Sequence, residues 1–324
     1  MDLNEITEAI AKITPLTRRN EPIARHTTVQ VGGSASMIAW PADTVELIRC
    51  VQALENQTHP VEWTVLGGGA NLFADSEGYE GIILNLSNWR EEPVIDETGL
   101  MVVPGGMDMR QAAEFAARAG WGGIDFMAVV PGSVGGAVCI NAGTHYEGYV
   151  ADRLVWADTV DKSGLETRYK KDELEFGYRR SRLMAAAQIV IRAAFQLARL
   201  EGEDTSALLA RFDAAMAERE RKFPLDQPNF GSTFRSPGAP HPPAGKLLDD
   251  LGMKGRRIGN AQISPKHANF IVNLGGATSE DIIALMREMR DAVREAHGIH
   301  LRPEVHYLCN RTRQRPDLFR NKIE

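Results

Sequence analysis

The chain has no apolar run approaching the roughly 20 residues that would cross a bilayer. Its N-terminal stretch, Met1 to Pro22, has no basic start leading into an apolar segment. That stretch reads as an amphipathic helix broken at Pro15, so a secretion signal is not expected. Cysteine is scarce: Cys50, Cys139 and Cys309 are three in number and widely spaced, which suits reduced thiols in a cytosol better than a disulfide framework. Basic excess is lacking too. With 37 Lys and Arg against 43 Asp and Glu, the formal net charge is −6, which argues against a broad nucleic-acid surface. A few local cations or helix N-termini would still suffice for a small anion. Neither an internal repeat nor a low-complexity run is visible. The 324 residues exceed one typical core, so two or three domains are expected.

Periodicity places a strand at Ser36–Trp40, a helix from Thr44 to about Leu54, and strands at Val61–Leu66 and Gly81–Leu86, a small α/β unit. Further on, a strand at Leu100–Pro104 precedes a helix at Met109–Ala119, ended by Gly120. Apolar β-rich runs return at Leu154–Val160 and Gln188–Leu197. A charged helix follows over Glu201–Arg221, with Leu208, Leu209, Phe212 and Met216 on one face. Proline and glycine cluster from Phe223 to Pro243, which reads as an ordered loop. The end carries a helix at Ser279–His297, capped by Ser279, and a strand at Leu301–Leu308.

Two glycine-rich segments carry most of the functional signal. The first, Gly67-Gly68-Gly69-Ala70-Asn71-Leu72, follows a strand, where glycines allow close main-chain approach and successive N–H groups can form an anion nest. Leu72 stands where G-x-G-x-x-G needs its third glycine, and no Lys-Ser or Lys-Thr follows, so neither nucleotide fingerprint applies. A tight turn and a phosphate site stay open as readings. The second, Val130-Pro131-Gly132-Ser133-Val134-Gly135-Gly136-Ala137, is followed closely by Asn141-Ala142-Gly143. So many small residues suit either a close-packed loop or a ligand contact.

Further short motifs occur in order: Thr27-Thr28-Val29-Gln30-Val31-Gly32-Gly33, Tyr178-Arg179-Arg180-Ser181, Gly231-Ser232-Thr233-Phe234-Arg235 and Ala244-Gly245-Lys246-Leu247. Then come Ile258-Gly259-Asn260-Ala261-Gln262-Ile263-Ser264, Lys266-His267-Ala268-Asn269-Phe270 and Pro303-Glu304-Val305. With the glycine segments, this series resembles the UDP-N-acetylenolpyruvoylglucosamine reductases from about residue 20 to 308. Each motif is weak by itself; their order is specific. The chain departs from the family pattern at Val129 (usually glycine), Phe230 (usually small) and Arg235 (usually lysine).

The resemblance implies a multi-domain α+β or α/β protein with an FAD-binding fold of the vanillyl-alcohol-oxidase (PCMH) type and a C-terminal α/β substrate-binding domain. The expected boundaries are 1–86 and 87–199 for the two FAD-binding subdomains and 200–298 for the substrate domain, with 299–324 returning to the first. It implies non-covalent FAD, NADPH as hydride donor, and reduction of UDP-N-acetylglucosamine enolpyruvate to UDP-N-acetylmuramate in peptidoglycan precursor synthesis. FAD would be held by Gly67, Gly68, Gly69, Ala70, Asn71, Leu72, Pro131, Gly132, Ser133, Gly135, Gly136 and Ala142. Ser232 would protonate the enolate, Arg179 would hold the substrate carboxylate in a bidentate grip, and Glu304 would assist. Tyr178, Arg235, Lys246, Gln262 and His267 would bind the rest of the substrate. The short span from Asn141 to Tyr178 suggests the subtype without a substrate-capping tyrosine loop. A cytoplasmic monomer without membrane or nucleic-acid partners is expected.

Each of these residues also has a plainer reading: Ser232 as a turn serine, the arginines as a solvated cluster, Glu304 as a half-exposed strand residue, and Lys246 as a solvated cation. The spacing His297-x-x-His300 with His306-x-x-Cys309 superficially suits zinc. However, alternation along a strand would turn Cys309 away from His300 and His306, so no metal is expected. The rival functions are another FAD-dependent alcohol or sugar oxidoreductase of the same flavin fold, and an inactive nucleotide-sugar-binding homologue.

Overall fold

The computed structural model describes residues 3–57, 60–144, 148–201, 205–311 and 316–319. Its larger sheets account for most of the strands. A four-stranded sheet runs in the order Thr17–Pro22, Ser34–Ala39, Tyr79–Asn85, Trp63–Leu66. Its last pair is parallel, with Trp63 opposite Ile82. Parallel neighbours need a crossover, but here a short strand and turn replace the usual helix between them. A five-stranded antiparallel sheet runs Glu166–Lys170, Leu154–Val160, Ile189–Gln196, Leu100–Pro104, Val94–Ile95. A third sheet runs Asn229–Ser232, Phe270–Asn273, Ala261–Ile263, Arg257–Ile258.

The chain forms two compact units, each discontinuous in sequence: residues 1–19, 37–68 and 81–217, and residues 20–36, 69–80 and 218–324. The first has two cores. One packs Ile6 and Ile10 of the Leu3–Ile13 helix against Leu47, Val51 and Leu54 of the Thr44–Glu55 helix. The other sets Ala112, Ala113, Ala116 and Ala117 of Met109–Arg118 near Phe126 and Phe195. Small side chains let that helix approach closely, and Asp108 caps it by accepting from the Arg110 and Gln111 amides. The second unit's core gathers Phe73, Phe230, Phe234, Ile271, Met286 and Met289. In that unit His306–Leu308 pairs in parallel with Leu72–Ala74, so the chain's end returns beside the segment that follows Gly69.

Several elements differ from the sequence reading. The second glycine segment is a helix from Val134 to Ile140, not a loop. Ser133 starts it by accepting the Gly136 N–H at 3.3 Å, buried Val134, Ala137 and Val138 anchor it, and Asn141 ends it in the left-handed region at φ 49°. Asn229–Ser232 is a strand inside the expected 223–243 loop, because Asn229 accepts the Gly231 N–H and donates to the Pro224 and Gln227 carbonyls. Thr278, not Ser279, caps the Ser279–His297 helix; the Ser279 hydroxyl instead accepts the Ser76 N–H. The charged helix spans Thr205–Lys222 with Leu208 and Phe212 buried, while positions 202–204 lie outside the described residues. The terminal strand covers only His306–Leu308. Before it, Pro303 makes one isolated bridge, to Phe234, so the strand alternation assumed for His300 to His306 does not hold.

Candidate active site

The glycine loops of the first unit pack directly on one another. A methyl group on Gly68 would lie 2.9 Å from the Gly132 Cα, and one on Gly67 would strike the Ser133 hydroxyl. A third glycine pair, Gly105-Gly106, completes the set: the Gly135 N–H donates to the Gly105 carbonyl at 2.7 Å. A Cβ at Gly105 or Gly106 would collide with the Val190 or Leu86 carbonyl. Part of this glycine demand is therefore internal, since main chain touches main chain. The remainder faces open space. Ser133 lines two cavities, of about 320 and 310 Å³. Gly68, Gly106 and Gly132 border the first; Gly67, Gly105, Gly135 and Gly136 border the second, with Trp63 and Lys162 at its wall.

Glycine main chain forms part of the wall of both adjoining cavities, beside side chains such as Trp89 and Gln111 in the first and Trp63 and Ile189 in the second. Such stretches suit close approach by an extended ligand with a diphosphate and flat rings. FAD fits that description. Cys139 also borders the second cavity, and burial pushes its thiol up to about 12, so it stays protonated. Gly105 and Gly106 escaped the sequence reading because Pro104-Gly105-Gly106 after a strand looks like an ordinary turn. Their signal was the spacing: a glycine pair directly after a strand, as at Gly67.

The other cofactor candidates have structural duties. Gly69 lies in the left-handed region at φ 63°, and its carbonyl accepts the Thr28 N–H. The Asn71 amide donates to the Glu304 carbonyl at 3.3 Å, and Leu72 opens the strand paired with His306–Leu308. Ala142 is buried, Ala70 is half-buried and Pro131 is exposed.

Within the second unit, Ser232 and Glu304 lie on adjacent segments. The Glu304 N–H donates to the Thr233 carbonyl, and the Arg235 N–H donates to the Arg302 carbonyl, both at 2.9 Å. These bonds flank the Phe234–Pro303 bridge, a position where the missing proline N–H leaves no partner unpaired. Gly231 has φ 79°, and a Cβ there would meet nothing within 4 Å, so the main chain beside Ser232 is open.

Arg179 belongs to the first unit. Its backbone is left-handed at φ 55°, its guanidinium donates to the Gly143 carbonyl at 3.1 Å, and it lies 5.3 Å from the Tyr178 ring centroid. The preceding turn is tied to the end of the glycine helix, because the Asn141 amide donates to the Gly177 carbonyl. Asn141-Ala142-Gly143 thus shapes the Arg179 turn.

The substrate candidates separate clearly. Among the described residues, the Arg235 Nε is buried with no hydrogen-bond partner, as are the Thr27 and Thr233 hydroxyls. Lys246 follows the start of the Ala244–Asp250 helix but pairs with Asp250 and is exposed. Gln262 donates to the Gly255 carbonyl. His267 packs against Phe223 and Phe270, with centroids 5.2 and 5.0 Å away. Its Nδ1 accepts the Asn269 N–H at 3.2 Å; burial, then nearby Lys254, lowers its pKa. Of the departures, Val129 and Phe230 are buried and Arg235 is half-buried. Val129 closes a 3-10 turn, and Phe230 stacks on Phe73 at 5.7 Å. Among the described residues no three of His, Cys, Asp and Glu are placed to hold a metal ion.

The FAD binding domain family matches residues 35–169, the stretch that carries the glycine loops, so the chain is an FAD-binding protein. Residues 223–308 match the family described as UDP-N-acetylenolpyruvoylglucosamine reductase, C-terminal domain. A UDP-N-acetylenolpyruvoylglucosamine reductase from Heliobacterium modesticaldum is 38% identical, the match covering 89% of each chain. One from Synechococcus is 37% identical over 89% of this chain and 92% of its own. The crystal structure of the Thermus caldophilus reductase superposes with a TM-score of 0.73 at 31% identity, covering 91% of this chain and all of that one. The chain belongs to the UDP-N-acetylenolpyruvoylglucosamine reductase family, and is an FAD-dependent oxidoreductase with NADPH as hydride donor.

Proposed function

We propose that this chain reduces the enolpyruvyl group of UDP-N-acetylglucosamine enolpyruvate to the lactyl ether of UDP-N-acetylmuramate, with Ser232, Arg179 and Glu304 as its catalytic residues. Bound FAD would supply the redox chemistry between NADPH and the enol ether. Gly67, Gly68, Gly132, Ser133, Gly135 and Gly136 would hold it by main-chain approach. Hydride delivery leaves negative charge on the carbon beside the substrate carboxylate. The Arg179 guanidinium holds that carboxylate and stabilises the charge. The Ser232 hydroxyl gives its proton to the carbon, and Glu304 assists the redistribution of charge. Arg235, with its unpartnered Nε, binds the diphosphate; Tyr178, Lys246, Gln262 and His267 contribute further contacts. The subtype is the one without the tyrosine loop; part of the relevant span, 145–147, lies outside the described residues.

The observation that carries the Ser232 and Glu304 assignments is the pairing of Thr233–Arg235 with Arg302–Glu304, which puts Ser232, next to Thr233, on a segment neighbouring that of Glu304 and beside open main chain. An alcohol oxidase would need a base where Ser232 stands. A cytoplasmic monomer without membrane or nucleic-acid partners is the accompanying reading. The net charge of −6 argues against a broad nucleic-acid surface, and among the described residues no helix is long and apolar enough to cross a membrane.

Ser232→Ala tests the central role. Flavin bleaching by NADPH should stay at the wild-type rate, while turnover falls by about 10²–10⁴-fold, the span usual for general acid catalysis. Turnover within about twofold of wild type would remove Ser232 from the mechanism.

A further inference from the structure

Ser232 ends a strand paired with Phe270, and the segment just after it is held by a side chain as well as by main-chain bonds. The Asn269 amide is buried and bonds both polar atoms of one peptide residue: its Oδ1 accepts the Phe234 N–H at 3.0 Å, and its Nδ2 donates to the Phe234 carbonyl at 2.8 Å. Its own carbonyl accepts the Thr233 N–H at 2.8 Å. The regular ladder to Phe270–Asn273 is disturbed between Asn229 and Ser232, with Gly231 in the left-handed region. Beyond Ser232, the Asn269 side chain therefore does the work of the missing strand partner. Phe234 is also the residue bridged to Pro303, next to Glu304. One amide thus holds the peptide residue that follows Ser232 and Thr233 and that is bridged to Pro303, the neighbour of Glu304.

We infer that Asn269 is a positioning residue for the protonation step, fixing Ser232 and Glu304 relative to each other through the Phe234 peptide. This rests on the roles assigned to Ser232 and Glu304 above. The requirement is chemical as well as steric. The residue must donate and accept at once in a buried place, and a primary amide does both with one planar group. An aspartate of the same shape offers two acceptors when ionised. It then faces the Phe234 carbonyl with a like partial charge, and regains a donor only on protonation. Burial raises such a carboxyl's pKa, so the repair falls within reach of mild acid.

The test uses the full-length FAD-loaded enzyme and follows its half-reactions separately: anaerobic flavin bleaching by NADPH, then reoxidation by the enolpyruvyl nucleotide sugar. Asn269→Ala and Asn269→Asp are expected to bleach within about twofold of wild type, yet to reoxidise at least about tenfold more slowly at neutral pH, since misplaced catalytic groups cost rate steeply. The ratio of Asn269→Asp to wild-type reoxidation should climb as pH falls, while that of Asn269→Ala stays flat. Asn269→Asp carries the test alone should the alanine variant not fold. The inference is overturned if bleaching and reoxidation fall together, if reoxidation is unchanged, or if the aspartate ratio does not vary with pH. Ser232→Ala in the same assay keeps the two readings apart. Loss of reoxidation there with none in Asn269→Asp sinks only the positioning role, whereas unimpaired reoxidation there sinks the reading of the site itself.

Discussion

His267 shows how burial alters a single residue's chemistry. Packed against Phe223 and Phe270, its ring loses hydration and so resists protonation; Lys254 adds a smaller push in the same direction. Because Nδ1 accepts the Asn269 N–H, the neutral ring carries its proton on Nε2 and is a donor. The lowered pKa has a direct consequence for stability. Between the folded pKa and the ordinary value of about 6.5, the unfolded chain binds the additional proton. Stability is therefore full above that value and declines as pH falls through the window, by at most about 1.4 kcal/mol per pH unit. Denaturant titrations from pH 7.5 down to mildly acid conditions should show this slope in wild type and a shallower one in His267→Gln; equal slopes would contradict it. The residue's place in an order of motifs, with Phe270 three residues on, was legible in the sequence, but its packing against Phe223 was not. Phe223 lies far from His267 along the chain, and periodicity reports only near neighbours.

At the scale of elements, the glycine loops show what local reading catches and what it misses. Two clusters stood out, and both border the cavities of the first unit. The helix inside the second cluster was hidden, because glycine disfavours helix and its supports are tertiary: Ser133 caps it, and the Gly105 carbonyl receives the Gly135 N–H. Pro303 likewise interrupted the pattern of the last strand, and only the bridge to Phe234 explains its tolerance. Gly68 tests the loop packing. Its added Cβ would meet Gly132 Cα at 2.9 Å and Ser133 N at 3.2 Å, main-chain atoms that cannot swing away. Gly68→Ala should therefore part the two loops and weaken FAD binding by at least about tenfold, or about 1.4 kcal/mol. Fluorescence titration of the apoprotein measures this, and an unchanged affinity would show that the loops yield without cost.

At the scale of the molecule, mixed α/β character and the FAD-binding class were readable from motif order. The composition of the two units was not. Residues 20–36 and 69–80 belong with 218–324, and no composition shift or linker marks those crossings. The parallel pairing of His306–Leu308 with Leu72–Ala74 is the physical tie; the resemblance implied a return of 299–324 to residues 1–86, but the register of that pairing leaves no local trace. Val129 and Phe230 depart from the family pattern, and each is absorbed into a core. These two departures alter packing, whereas the third, Arg235, changes a polar residue of the proposed substrate site while keeping its charge.

The most direct measurement is the absorbance spectrum of the FAD-loaded protein, taken without oxygen through two additions. NADPH should bleach the flavin band, and the colour should then return only when UDP-N-acetylglucosamine enolpyruvate is supplied, one equivalent restoring one equivalent of oxidised flavin. Failure to bleach, or return of colour with an aldehyde or lactone (the oxidised product of an alcohol or sugar) in place of the enolpyruvyl nucleotide, would contradict the assigned reaction.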